Sequence, residues 1–212
     1  MIFFGKEKME SSTFISRFSR MLSEKSLTTA APFLEEEHCH LHAILDRFIP
    51  FPFKELVVVG GGKKMYHEVA SNYLVDYLNI DPETISINQP GTCCISKPIE
   101  EVDPTVASQF PRILWMPFNV VAYIDKPNSI IDRWLRPGDV CLISGWQKNQ
   151  AADSLRSKYF QSVDPGEALP PFDPLPKIVQ PEKARATKTV ERIKGAYNQI
   201  LAIYTTPKKG TL

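Results

Sequence analysis

The chain has 212 residues, of which 43% are hydrophobic and 23% are charged, so it can bury a sizeable core as a soluble globular protein. Its 25 basic and 24 acidic residues nearly cancel, which excludes a global field that would attract nucleic acid or an anionic membrane. We therefore expect neither nucleic acid nor membrane as a partner.

The N-terminus and the cysteines predict a cytoplasmic protein with free thiols. Met1–Lys6 has few apolar residues before charge appears, whereas a signal peptide needs an apolar core of roughly 7–15 residues. A membrane-spanning helix needs about 20. No C-x-x-C spacing occurs among the four cysteines, Cys39, Cys93, Cys94 and Cys141.

Two helices are predicted before the first strand. One is indicated by an apolar face made of Phe14, Phe18, Met21 and Leu22. The second is predicted from Pro32 to Phe48, because proline suits a first helical turn and an apolar stripe follows it. These helices would form an N-terminal cap over residues 1–52.

The first strand is predicted at Glu55–Val59, where an unalternating apolar run is typical of a strand buried on both faces. It stops at three consecutive glycines, Gly60–Gly62. A strand, a glycine turn and a helix present backbone N–H groups to a nucleotide-like ligand, since glycine permits close approach. We predict that the following helix spans Lys63–Asn79 and buries Val69, Leu74 and Leu78.

Four further elements are predicted in the middle of the chain. Short strands are expected at Thr84–Asn88 and Thr92–Ser96, and a strong one at Arg112–Met116. Asn128 is expected to cap a helix that runs to Leu135. A buried strand then follows at Val140–Ser144, and this alternation predicts a right-handed, mostly parallel sheet.

The pattern loosens after Trp146, and six prolines between residues 164 and 181 predict an extended excursion. A helix over Thr187–Asn198 and a strand over Gln199–Thr205 are expected to complete the domain. The predicted fold is an α/β, three-layer, Rossmann-like sheet of about five to seven strands. Residues 53–147 would form its ligand-binding core, and 148–212 would complete the same domain.

Three segments together resemble a class I S-adenosylmethionine-dependent methyltransferase: Val57–Gly62, Met116–Asn119, and the Leu-x-Pro-Gly turn at Leu135–Gly138 before the next strand. In that family the first strand ends in a glycine-rich loop under the cofactor. A later strand ends where the substrate meets the methyl group. The resemblance covers about residues 53–147 and is most specific at the Leu-x-Pro-Gly turn.

The resemblance implies S-adenosylmethionine as cofactor and a small molecule as methyl acceptor. The residues that it places against the cofactor are Val59, Gly60, Gly61, Gly62, Asn88, Met116 and Pro117. Phe118 and Asn119 lie where substrate would dock, or else form a strand-end loop with Phe118 packed in the core. No catalytic residue is assigned, because methyl transfer needs mainly proximity.

Three positions depart from the family pattern. Val58 stands where the family usually has an acidic residue, and Lys64 stands in place of the third loop glycine. Asn88 corresponds to the acid that holds the ribose hydroxyls, and an amide bonds a hydroxyl more weakly than a carboxylate does. These departures favour an alternative, a catalytically degenerate relative that binds a nucleotide or a protein partner.

Three of the four histidines fall in the predicted second helix. Glu35, His38 and His42 would share one helical face, which is a conceivable metal site. His40 points elsewhere, however, and a polar helix face above the glycine loop explains these residues as well. We assign no metal.

Overall fold

The structure is a computed structural model that describes residues 20–21, 23–47, 53–62, 66–82, 91–107, 111–166, 175, 179 and 188–205. The strands are β1 (Glu55–Val59), β2 (Asp76–Ile80), β3 (Thr92–Ile95), β4 (Arg112–Met116), β5 (Val140–Trp146), β6 (Lys188–Lys194) and β7 (Asn198–Thr205). The helices are α1 (Glu24–Arg47), α2 (His67–Asn72), α3 (Pro127–Trp134) and α4 (Gln150–Val163). Three 3-10 turns lie at Ile99–Glu101, Pro104–Val106 and Val120–Tyr123.

The strands form one sheet in the order β3-β2-β1-β4-β5-β7-β6. Strands β1 to β5 are parallel, while β7 runs antiparallel to both β5 and β6. This confirms the predicted α/β, mostly parallel sheet. The strand order reverses between β1 and β4, and ligands of open α/β sheets bind in the crevice at the carboxyl ends of such strands.

Both faces of the sheet are covered, as the apolar character of β1 predicts. Val57 and Val59 pack with α3 on one face, while Leu56 and Val58 pack with α1 and α2 on the other. A third apolar cluster joins α1, β5 and α4. None of the helices in the described part of the chain is long and apolar enough to cross a bilayer.

The helix predicted over Lys63–Asn79 is wrong, because its second half is strand β2. Leu74, assigned to the buried side, is 93% exposed and has a φ of 54°, which ends the helical region. Leu78 is indeed buried, but in a strand that pairs with β1. In so short a run the apolar spacing fits either element, and pairing with β1 decides. The strand predicted at Thr84–Asn88 lies outside the described residues.

The helix predicted over Thr187–Asn198 is also wrong. Residues Lys188–Lys194 form β6, which pairs along its length with β7. Exposure alternates from Glu191 to Lys194, as expected for a strand with one covered face. Long-range pairing therefore overrides a local pattern that is compatible with a helix.

Helix α1 begins eight residues before the predicted start at Pro32, which lies inside it. The capping residue is Ser23, whose Oγ accepts the Ser26 N–H at 3.3 Å. A proline inside a helix removes one backbone hydrogen bond. The packing of Phe33 and Leu41, both fully buried, maintains the helix across that position.

Helix α4 was not predicted, although its sequence carries a signal for it. Asn149 caps the helix, because its Oδ1 accepts the Ala152 N–H at 2.8 Å. Ala152, Tyr159 and Phe160 are buried on one side, at a spacing that suits a helix. Helix α3 differs from its prediction by one residue at each end, and Lys126 rather than Asn128 is its N-cap residue.

The remaining predicted strands are confirmed, with small changes at their ends. Those at Thr92–Ser96, Arg112–Met116 and Gln199–Thr205 agree with β3, β4 and β7, and β5 extends two residues beyond Ser144. Between β3 and β4, residues 99–106 hold two 3-10 turns. Of the predicted helix before residue 23, Arg20 and Met21 are described; both are helical, and Met21 is buried. The rest of that helix and most of the proline-rich excursion lie outside the described residues.

Candidate functional site

A pocket lies at the carboxyl ends of β1, β2 and β4, where the strand order reverses. Its cavity measures about 90 Å³, within an open cleft of about 520 Å³. The described residues that line it are Val59, Gly60, Ile80, Pro82, Pro98, Ile99, Glu100, Val120, Tyr123 and Ile124. Almost all of these are apolar, and Glu100 is the charged residue among them.

Gly60 is required by the geometry of the pocket floor. Its φ is +72°, a conformation that L side chains rarely adopt, and a Cβ there would lie 2.5 Å from Val120 Cγ2. Its N–H donates to the Ile80 carbonyl at 2.9 Å. Glycine at residue 60 therefore allows the end of β1 to pack closely against Val120 in the loop that follows β4.

Gly61 and Gly62 bind the loop to β2. A Cβ at Gly61 would lie 2.7 Å from Val58 Cγ1 and 2.9 Å from Asn79 Oδ1, so this glycine packs against the sheet. The Gly62 N–H donates to Asp81 Oδ2 at 2.8 Å. The loop thus offers the pocket the Cα surface of Gly60, while the amides of Gly60 and Gly62 are bonded to the chain itself.

The acidic residue at the end of the second strand is Asp81. The assignment of Asn88 to that position followed from placing the strand at Thr84–Asn88, whereas β2 ends at Ile80. Asp81 is fully buried and is held by the glycine loop. Asn88 lies outside the described residues, so its assignment as a cofactor residue stays a prediction.

Val59 and Gly60 are the predicted cofactor residues that line the pocket. Met116 and Pro117 are buried at the end of β4 and are not in its lining. The β4 loop contributes three later residues, Val120, Tyr123 and Ile124, which the sequence analysis did not select. An apolar run directly after Asn119 is the signal that could have identified them.

At the turn formed by Phe118 and Asn119, both residues adopt a left-handed backbone conformation, which is unfavourable for residues with a side chain. Their φ angles are 45° and 60°, although neither is glycine. Such conformations cost of order 1–3 kcal/mol each and cluster at functional sites. The Asn119 N–H donates to the Ser144 carbonyl at 3.2 Å. The Asn119 Oδ1 is buried and has no hydrogen-bond partner among the described residues.

The Phe118 ring packs among aromatic side chains rather than lining an open space. Its centroid lies 5.2 Å from Phe33 and 5.2 Å from Tyr159, both edge to face. Trp146 completes the group at 6.1 Å. Of the two interpretations of Phe118, the structure therefore favours the packed loop.

Glu37 of α1 reaches the same turn and was missed by the sequence analysis. It is 1% exposed, and its Oε1 accepts the Phe118 N–H at 2.7 Å. Its Oε2 accepts the Tyr66 hydroxyl proton at 2.5 Å. The signal was present, because Glu37 lies four residues from both Phe33 and Leu41, inside the apolar stripe of the helix.

Burial raises the pKa of the Glu37 carboxyl above its ordinary value of 4.5. Hydrogen bonds from the Tyr66 hydroxyl and from the Phe118 N–H act in the opposite direction. Burial, followed by the negative charge of Glu37, raises the pKa of Tyr66 well above its ordinary range. The edge of this site thus holds a buried carboxyl and a neutral phenol.

Glu36 docks the same helix on the β6–β7 turn. Its carboxylate accepts three consecutive backbone N–H groups, from Ala196 at 2.5 Å and from Tyr197 and Asn198 at 2.8 Å. His40 adds a contact between its Nδ1 and Asn198 Oδ1 at 2.9 Å. Two adjacent carboxylates on α1 therefore accept hydrogen bonds from two different places, the turn after β4 and the β6–β7 turn.

The histidines on this face of α1 contact each other at the surface, where His38 is exposed and His42 is half-buried. The rings of His38 and His42 meet at 4.5 Å, and His42 Nδ1 lies 3.2 Å from the Tyr73 hydroxyl. Burial, then the neighbouring His42, lowers the pKa of His38. No group of three histidine, cysteine or acidic side chains within the described ranges is arranged to hold a metal ion. The four cysteines are free.

No protein-family model matches the chain, and no curated protein matches it in sequence. Solved structures do match its fold. An O-methyltransferase family protein from Burkholderia thailandensis aligns at a TM-score of 0.58 with 12% identity, over 92% of this chain and 63% of that protein. The chain thus spans less than two thirds of that protein's length.

Two other solved structures match over nearly their whole length. The plantazolicin methyltransferase in complex with S-adenosylhomocysteine (SAH) has a TM-score of 0.55 and 11% identity, over 92% of this chain and 91% of that one. Magnesium protoporphyrin IX methyltransferase from Synechocystis PCC 6803, with bound SAH, has 0.54 and 11%, over 92% and 95%. At these identities the likeness concerns the fold, and it confirms the predicted class I methyltransferase-like architecture.

Proposed function

We propose that this chain is an S-adenosylmethionine-dependent methyltransferase that acts on a small molecule. The observation that carries the proposal is the apolar pocket at the β1–β4 reversal, floored by Val59 and Gly60. Structural neighbours of the same fold have been solved with SAH. The cavity of about 90 Å³ opens into a wider cleft at the carboxyl ends of the strands, where ligands of open α/β sheets bind.

The lining suits the adenosyl part of the cofactor. Ile80, Ile99 and Ile124 give apolar walls for a flat ring, and the Glu100 carboxylate at the edge can accept an N–H. Asp81 immediately precedes the lining residue Pro82, which brings an acid close to the pocket.

S-adenosylmethionine, when bound, supplies a methyl group to a nucleophile by in-line displacement. This chain contributes orientation and the exclusion of water, which are the main requirements of that reaction. We assign Asn119 Oδ1 to a hydroxyl or amine hydrogen of the substrate, because this buried oxygen has no partner among the described residues. The Phe118 ring packs beside this position in the aromatic group of Phe33, Trp146 and Tyr159.

The alternative is a protein that binds a nucleotide or a protein partner without catalysis. It is supported by the amides of Gly60 and Gly62, which are bonded within the chain, and by Val58 in place of an acid. Lys64, which also favours it, lies outside the described residues. The two functions differ in whether cofactor binding is followed by methyl transfer.

Titration calorimetry with S-adenosylmethionine and SAH tests cofactor binding. We expect binding of both, and a loss of at least about tenfold in affinity in Pro98→Trp, because Pro98 is exposed at the pocket and the indole would fill it. Lys97→Trp is the matched control, since Lys97 is exposed beside it and is not in the lining. Absence of heat with both ligands would overturn the proposal.

A methyl-transfer assay, carried out after the calorimetry, separates the two functions. Transfer of a labelled methyl group from S-adenosylmethionine to a small-molecule extract is expected for the enzyme, and it should be lost in Pro98→Trp. Tight binding without any labelled product would favour the alternative.

A further inference from the structure

The turn at Phe118 and Asn119 does not hold its own conformation. Two consecutive non-glycine residues keep a left-handed conformation only where contacts with the surrounding structure stabilise it. Two contacts from outside the loop do this. The Phe118 N–H donates to Glu37 Oε1 at 2.7 Å, and the Asn119 N–H donates to the Ser144 carbonyl at 3.2 Å.

The first of these contacts comes from the other end of the chain. Glu37 and Phe118 are 81 residues apart in sequence. The same carboxylate also accepts the Tyr66 hydroxyl, which lies 2.5 Å from Glu37 Oε2. One carboxylate of the N-terminal helix therefore joins Tyr66, which follows β1, to the turn that follows β4.

Helix packing by itself does not require a carboxylate at this position. The neighbours of Glu37 on the same helix face are Phe33 and Leu41, both fully buried. A buried charge or a buried carboxyl is costly unless hydrogen bonds compensate for its lost hydration. The docking of α1 on the β6–β7 turn is supplied separately by Glu36. The contacts made by Glu37 thus point to the turn itself.

We propose that Glu37 is a positioning residue: its carboxylate latches the Phe118–Asn119 turn in the left-handed conformation, and so fixes the methyl-acceptor end of the site from the N-terminal helix. That this end receives the acceptor rests on the function proposed above, whereas the latch does not. The latch directs the Asn119 side chain over Gly145, where its Oδ1 lies 3.0 Å from the position that a Cβ would occupy.

Loss of the latch should release the turn while the sheet remains. The Phe118 N–H would lose its acceptor, and a shift of φ towards negative values would relieve the strain. The Asn119 oxygen would then leave its place over β5. The N-terminal helix therefore acts in the site itself and not merely as a cover.

Amide hydrogen exchange measured by NMR on the full chain tests this proposal. We expect Glu37→Met, which keeps the buried volume, to accelerate exchange at Phe118 by at least about tenfold beyond any change in global stability. Glu37→Gln retains an oxygen acceptor and should restore most of the protection. Glu36→Ala is the matched control, because it should release the Tyr197 and Asn198 amides and leave Phe118 protected.

Unchanged protection of Phe118 in Glu37→Met would overturn the latch, as would equal acceleration in Glu36→Ala. If Glu37→Met does not fold, the wild-type chain still decides. The Phe118 amide proton shift should follow the titration of the Glu37 carboxyl carbon with the same midpoint, and a constant shift would refute the contact. Tyr66, the titratable side chain that bonds to Glu37 within the described ranges, ionises far above that range.

These outcomes are independent of cofactor binding. A chain that binds neither S-adenosylmethionine nor SAH defeats the proposed function, and the exchange data still test the latch. A chain that binds both but shows no protection change in Glu37→Met retains the proposed function and loses the latch.

Discussion

Arg112 and Asp139 form a buried ion pair at the amino ends of β4 and β5, opposite the pocket. The Arg112 Nε–H donates to Asp139 Oδ2 at 3.1 Å, and the side chains are 0% and 1% exposed. Asp139 also accepts the backbone N–H groups of Arg112 at 3.0 Å and of Arg136 at 2.8 Å. The acid that follows the Leu-x-Pro-Gly turn therefore fixes the geometry between two central strands.

Asp139→Asn should strongly destabilise the fold. The substitution leaves the Arg112 guanidinium buried without its counter-charge, and breaking such a pair costs about 3–5 kcal/mol. Urea unfolding followed by circular dichroism gives the free energy. Glu101→Gln, at an exposed position, is the control and should change it by less than about 0.5 kcal/mol. A similar small effect at Asp139 would contradict the role of the pair.

Glu37→Gln should change the pH dependence of stability. Because burial raises the folded-state pKa of Glu37 above 4.5, the folded chain binds the proton more tightly than the unfolded chain does. The stability that this tighter proton binding adds is fully present below the Glu37 pKa of the unfolded chain. It is lost as the pH rises through the Glu37 pKa of the folded chain. Wild type should therefore gain stability relative to Glu37→Gln as pH falls through that window.

Tyr66→Phe provides a second measurement of the same group. The Tyr66 hydroxyl bond lowers the pKa of Glu37, so its removal should move the transition to higher pH. Free energies of unfolding measured across the window give both midpoints. Parallel stability curves for wild type and Glu37→Gln would show that the Glu37 pKa does not differ between the two states.

Gly60→Ala should destabilise the chain through two separable effects. The left-handed backbone costs about 1–2 kcal/mol for a residue with a Cβ. The remainder comes from overlap with Val120, whose Cγ2 lies 2.5 Å from the Cβ position. In the double variant Gly60→Ala, Val120→Ala, the part of the stability loss that comes from this overlap should disappear. Strict additivity of the two single changes would mean that the contact is absent in solution.

Gly195→Ala should loosen the docking of α1. A Cβ at Gly195 would overlap the Glu36 carboxylate, which is bonded to the neighbouring Ala196 and Tyr197 amides. We expect a coupling of about 0.5–3 kcal/mol between Gly195→Ala and Glu36→Ala in a double-mutant cycle, because both disrupt one contact. A coupling energy near zero would mean that the Glu36 side chain does not contact the β6–β7 turn at Gly195.

The amino-acid sequence by itself determined the class of fold and the central strands. Val57–Val59 and Leu142–Ile143 lie in apolar runs that only a doubly covered sheet can bury. The tight turn at residue 60 was also predictable, because three consecutive glycines after an apolar strand permit the positive φ that Gly60 adopts. These features depend on interactions that a short window of sequence contains.

The tertiary structure decided the identity of β2 and β6 and the membership of the site. Local spacing at Tyr77 and Ile193 fits a helix or a strand, and the unpaired edges of β1 and β7 selected the strand. Glu37 reaches Phe118, and Asp81 reaches Gly62, only when distant segments pack together. Burial and hydrogen bonding at such positions are properties of the assembled sheet, because each group's partners come from another part of the chain.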